Sequence, residues 1–149
     1  MKIFLDTNVI LEYFTIREEY ETVQQLFERL HSRQDKLYMS VGSFYTMIFV
    51  VDKVLKKDTN LRGEIRIQAL RNIMERILMT INVAEHDSES LLRGIMDERF
   101  KDIEDGCQYE LAQKVGCNML ITFNTDDFNI DNNSTVRVLT PRDWLREEV

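Results

Sequence analysis

Short apolar runs that end in polar residues alternate with amphipathic stretches along the whole chain, and this alternation limits the fold more than any other feature. Lys2–Leu5 (KIFL), Leu37–Val41 (LYMSV), Thr80–Ala84 (TINVA), Asn118–Thr122 (NMLIT) and Val136–Leu139 (VRVL) read as strands. Between them, Val9–Phe14 reads as a short helix. Val23, Leu26, Phe27 and Leu30 recur as on one helix face. Ser43 is the expected cap of a helix with the stripe Phe44, Ile48, Val51 and Leu55. Leu70, Ile73, Met74, Ile77 and Leu78 make another stripe, and Leu91, Leu92, Ile95 and Met96 a short helix after Asp87-Ser88. Ile103, Cys107 and Leu111 lie on a helix that Gly116 closes, and Pro141 stands where a last helix would begin. Apolar strands separated by helices imply a parallel sheet covered on both faces. The expected fold class is therefore α/β: three layers, α/β/α, around a central mostly parallel sheet of four to five strands.

At 149 residues the chain fits one domain, spanning 1–149, and its single Pro and five Gly leave no room for a Pro/Gly-rich linker. No run of ~18 apolar residues is present to cross a membrane. Asp6 interrupts the apolar N-terminal stretch too early for a signal peptide. Cys107 and Cys117 form no disulfide framework and read as core thiols, so a cytoplasmic setting is expected. Together with the distant His31 and His86 they also lack the spacing of a structural zinc site. Met47, Met74, Met79 and Met96 read as core filler. The net charge of −7 argues against a protein that coats nucleic acid through a basic face. It does not argue against an enzyme whose acidic groups hold a metal. Lys53, Lys56 and Lys57 cluster at one helix end, and Arg62, Arg66, Arg71 and Arg76 decorate the next helix. A solvated face is the first reading of both groups and an RNA-facing rim the second.

In a parallel sheet the ligand site lies beyond the carboxyl ends of the strands. Asp6-Thr7-Asn8 follows the first strand, and Thr122 to Phe128 (TFNTDDF) closes the fourth. Asp102 and Asp105 open a helix and, three residues apart, share one face of it. If Asp6, Asp105 and Asp127 converge, their repulsion forces some of them to protonate unless a divalent cation is present. Hard oxygen ligands without His or Cys select Mg²⁺ or Mn²⁺. Such a metal activates water and stabilises charge on a phosphate in transit, which points to phosphodiester hydrolysis. Structural roles stand beside these. Asp6, Thr7 or Asp102 would serve as helix caps, one of Asp126 and Asp127 as an Asx turn, and Thr122 and Asn124 as partners for loop backbone. For Asp105, its place three residues after Asp102 and opposite the Ile103, Cys107, Leu111 stripe favours a site.

Four stretches in order, IFLDTNVILEYF, DIEDGCQYELAQKVGCNMLIT, ITFNTDDF and VRVLTPRDWL, resemble the PIN domain, a family of metal-dependent ribonucleases that includes toxins of bacterial toxin–antitoxin pairs. The resemblance covers essentially the whole chain. It implies Asp6, Asp105 and Asp127 as ligands of Mg²⁺ or Mn²⁺ and Asp102 as a further ligand or base. It gives positioning roles to Asn8, Asn124 and Thr122. Thr46 stands where the family usually has a Glu, and Asn124 where many members have an acid. The implied partners are an RNA substrate, an antitoxin protein and a second copy of the chain. The alternative is a catalytically degenerate PIN-like domain that binds RNA or a protein without cleavage, a reading that Thr46 supports. Other Asp-based phosphoryl enzymes fit less well. Residue 8 is Asn where haloacid-dehalogenase-like phosphatases need a second Asp, no Lys follows NMLITFNT as a receiver domain requires, and no GxxxxGK[ST] loop exists.

Overall fold

Ile3 and Leu5 bury into one core and Phe4 into another, the period of two expected of a strand covered on both sides. In the computed structural model, which describes residues 1–128, 131 and 134–147, that strand is β1 (Lys2–Leu5). It is followed by α1 (Thr7–Thr15), α2 (Tyr20–Ser32), β2 (Lys36–Ser40), α3 (Val41–Asp58) and α4 (Gly63–Thr80). Then come β3 (Asn82–Ala84), α5 (Ser88–Met96), α6 (Ile103–Val115), β4 (Met119–Ile121), β5 (Arg137–Leu139) and α7 (Pro141–Glu147). The strands form one sheet of order β3-β2-β1-β4-β5, and every pairing is parallel. Side chains of α1, α2, α3, α4 and α7 bury against one sheet face, with Trp144 and Met47 among them. Tyr109, Leu111 and Ala112 of α6 cover the other. The three-layer α/β/α architecture is the one expected.

Several boundaries and faces differ from the sequence reading. Val41 begins α3 instead of ending β2, because the Ser40 hydroxyl accepts the Ser43 N–H at 2.9 Å and caps the helix. Ser43 is therefore a buried residue of the first turn and not the cap. Thr80 ends α4, its hydroxyl donating to the Arg76 carbonyl at 2.9 Å, so β3 shortens to Asn82–Ala84. Met47 and Met74 fill the core as expected, whereas Met79 and Met96 are 81% and 69% exposed. Leu91, Leu92 and Ile95 are also exposed, since α5 meets α6 through Ser90 and Gly94 instead of through its apolar stripe.

That inversion has a steric cause. A Cβ on Gly106 would lie 2.6 Å from the Gly94 carbonyl oxygen, and one on Gly94 would lie 2.6 Å from Cys107 Cα. The two helix backbones touch, leaving no space for side chains between them. Capping holds both helices in place. Asp87 and Ser90 form a reciprocal capping box at the start of α5, and Asp102 accepts the Glu104 N–H at 2.8 Å at the start of α6. Gly116, at φ 74°, ends α6 in the left-handed conformation expected of it. Among the described residues, no helix is long and apolar enough to cross a membrane.

Candidate functional site

After β1 the chain passes to β2 on one side of the sheet, while β4 pairs with β1 on the other. The carboxyl ends of β1 and β4 thus flank a topological switch point, where open α/β sheets place their ligands. Asp6 is the first residue beyond β1, tied down by its own N–H, which donates to the Ile121 carbonyl at 3.0 Å. It occupies the cap position of α1 without using its side chain to cap it. Its carboxylate is held instead by two donors: Thr122 Oγ1 at 2.9 Å to Oδ2, and Gln108 Nε2 at 3.2 Å to Oδ1. Thr122 Oγ1 in turn accepts the Asn124 N–H at 3.1 Å.

A cleft of about 380 Å³ opens over Asp6. From α6 and its cap come Asp102, Glu104, Asp105 and Gln108; from the α1–α3 side come Leu11, Arg17, Thr46 and Val50; Thr7, Asn8 and Asn124 complete the lining. Thr7 and Ser43 share a hydrogen bond of 2.6 Å between their hydroxyls, and Ser43 and Ser40 one of 2.9 Å. This buried chain fastens the first turn of α1 to that of α3. Asp127 lies half-buried in a short 3-10 turn, Thr125–Asp127, where Asn124 Nδ2 donates to its Oδ2. It does not line the cleft, but its charge reaches Asp105.

Asp105 carries the main electrostatic consequence. Burial, followed by the charges of Asp6, Asp102, Asp127 and Glu104, pushes its carboxyl up to about 7. The dipole of α6 works in the opposite direction at this first-turn position and is outweighed. The sequence reading placed Asp105 opposite a buried Ile103, Cys107, Leu111 stripe. In the structure Ile103 is 58% exposed, Cys107 half-buried, and Asp105, Gln108 and Tyr109 turn inward.

The donor set is carboxylate, amide and hydroxyl oxygen. Among the described residues, no three His, Cys, Asp or Glu side chains come together as a group that could hold a metal ion. Hard oxygen donors suit Mg²⁺ or Mn²⁺, and Mg²⁺ keeps several waters and takes one or two carboxylates from a protein. A cation between Asp6 and Asp105 would offset the burial and the neighbouring charge that push the Asp105 carboxyl up to about 7. The residues present thus fit such an ion.

Three polar lining residues were not singled out from the sequence. Gln108 lies three residues after Asp105 and shares its helix face, a signal hidden by the inverted assignment of that face. Glu104 was visible only as part of an acidic run. Arg17 follows Ile16, whose φ of 49° is left-handed, a conformation that no β-branched residue announces.

A parallel α/β sheet with carboxylates gathered beyond the carboxyl ends of β1 and β4 defines an acidic-cleft domain of the PIN type. The chain belongs to the PIN domain family, whose model matches residues 2–126 and so stops one residue short of Asp127. It is 30% identical over 144 residues to ribonuclease VapC1 of Aquifex aeolicus (strain VF5), covering 96% of this chain and 92% of that protein. Two solved structures share its fold. The VapBC2 complex of Rickettsia felis, bound to a DNA fragment from its promoter, has a chain that matches with a TM-score of 0.64 at 12% identity, over 94% of this chain and 98% of that one. A chain of VapBC-1 from nontypeable Haemophilus influenzae matches with a TM-score of 0.63 at 18% identity, over 95% and 99%.

Proposed function

We propose that this protein is a divalent-metal-dependent endoribonuclease and the toxin of a toxin–antitoxin pair. The observation that carries this is the pairing of Asp6 and Asp105 in one cleft, where burial and then neighbouring negative charge push the Asp105 carboxyl up to about 7. The likeness to a ribonuclease supports the substrate class, and the fold shared with chains of VapBC complexes supports an antitoxin partner. A homodimer belongs to the same proposal.

Asp6 and Asp105 would hold Mg²⁺ or Mn²⁺, with Asp127 contributing charge from its turn. Bound there, the ion supplies Lewis acidity to a phosphodiester and makes a water easier to deprotonate. Thr122 and Gln108 keep both Asp6 oxygens in fixed directions. Asp102 spends Oδ1 on the Glu104 N–H. Its Oδ2 is left to take a proton from the attacking water. Asn124 orients Asp127, and Asn8 and Thr46 add neutral polar groups to the lining.

Thr46 favours a second reading, a PIN domain that binds RNA without cutting it. Incubating the protein with RNA in Mn²⁺, and again after EDTA, separates the two. Cleavage that EDTA abolishes and Asp6→Asn lacks supports the nuclease. Binding without cleavage in Mn²⁺ overturns it in favour of the second reading.

A further inference from the structure

The outer face of α3 continues the cleft and carries exposed rings and cations. At 3.6 residues per turn, Thr46 and Val50, which line the cleft, share a side of the helix with Phe49, Lys53 and Lys57, and Tyr45 stands at the edge of that side. The buried stripe of Ser43, Met47, Val51 and Leu55 faces the other way. Tyr45 is 68% and Phe49 70% exposed. Lys53 and Lys57 are exposed and pair with no described residue. Arg17, in the cleft lining beside Thr46, is likewise exposed and unpaired. Asp52, a carboxylate on the same helix, is already engaged: Lys56 lies 2.7 Å and Arg66 3.1 Å from its oxygens.

Exposed rings followed by free cations suit a single-stranded nucleic acid, whose bases stack on aromatic faces while its phosphates meet Lys and Arg. A partner that was merely apolar would leave Lys53, Lys57 and Arg17 uncompensated. A duplex would keep its base faces stacked on one another. The cations matter more because the chain as a whole carries −7 and repels RNA elsewhere.

We propose that the Tyr45–Phe49–Lys53 face of α3 is the track on which single-stranded RNA enters the cleft. Bases stack on Tyr45 and Phe49, and phosphates are held by Lys53, Lys57 and, at the cleft, Arg17. The choice of RNA rests on the ribonuclease reading; the track itself rests on the α3 face.

The test is fluorescence anisotropy of the full chain with a fluorescein-labelled oligouridylate in EDTA, which prevents metal-dependent cleavage. Tyr45→Ala and Phe49→Ala should each weaken binding about tenfold without changing its salt dependence. Lys53→Ala and Arg17→Ala should weaken it and each lower the slope of log affinity against log salt by ~0.7. Melting temperatures should hold, since all four side chains are exposed. A duplex of equal length should bind more weakly. The track is overturned if the four variants bind like wild type, if the wild type does not bind, or if duplex binds equally well; a protein would then be the occupant of this face. Binding by the wild type without hydrolysis in Mn²⁺ would sink the ribonuclease reading and leave the track standing. Hydrolysis with the same KM in wild type, Phe49→Ala and Lys53→Ala would do the reverse.

Discussion

Gln108 Nε2 donates to Asp6 Oδ1 at 3.2 Å across 102 residues of sequence, and so locks α6 to the end of β1 at the point where the acidic cleft opens. The same amide leaves its Oε1 buried without a partner. An unpaired buried acceptor lowers stability, so the orientation of Asp6 is what the residue contributes. Gln108→Leu should weaken Mn²⁺ binding roughly tenfold, as loss of a residue supporting a metal ligand commonly does. Its melting temperature should stay close to wild type. Calorimetric titration and a thermal scan read the two quantities separately.

Asp105 gives the protein a pH dependence of defined sign. Its carboxyl titrates at about 7 in the folded chain and at about 3.9 when unfolded. Between these values the folded state holds the extra proton, so stability falls as pH rises and levels off above 7. A divalent cation needs the ionised form and competes with that proton. Mn²⁺ should therefore raise the melting temperature more at pH 8 than at pH 5, and Asp105→Asn should remove the difference.

The contact between α5 and α6 sets the position of Asp105, because Gly106 is the next residue and has no space for a side chain. Gly106→Ala and Gly94→Ala should each lower stability by about 1–3 kcal/mol through overpacking. Gly106→Ala should also weaken Mn²⁺ binding. Urea unfolding measures the first effect, and titration of the folded variant the second.

The fold was legible because its signal is periodic and local. KIFL and NMLIT are apolar runs ending at polar residues, Pro141 opens a helix, and Gly116 closes one. Asp6, Asp102 and Asp105 could be singled out because strand ends and helix starts have known positions relative to a parallel sheet. The face of α6 was not legible. Its inward side is set by a glycine contact with α5 that no period in α6 reports, so Ile103 took a place that belongs to Gln108. Arg17 escaped for a similar reason, since it depends on a left-handed Ile16.

Ser40 joins two functions in one hydroxyl. It caps α3 through the Ser43 N–H and begins the chain to Thr7 beside the cleft. Ser40→Ala should lower stability by about 0.5–2 kcal/mol, the range for a lost helix cap. Chemical denaturation of the variant checks this value.

The acidic cleft as a divalent-cation site is tested most directly by isothermal titration of Mn²⁺ into the wild type, Asp6→Asn and Asp105→Asn at pH 8. The expected result is saturable binding by the wild type and its loss in both variants, each still folded by circular dichroism. Binding that persists undiminished in both variants, or none by the wild type at millimolar Mn²⁺, would contradict it.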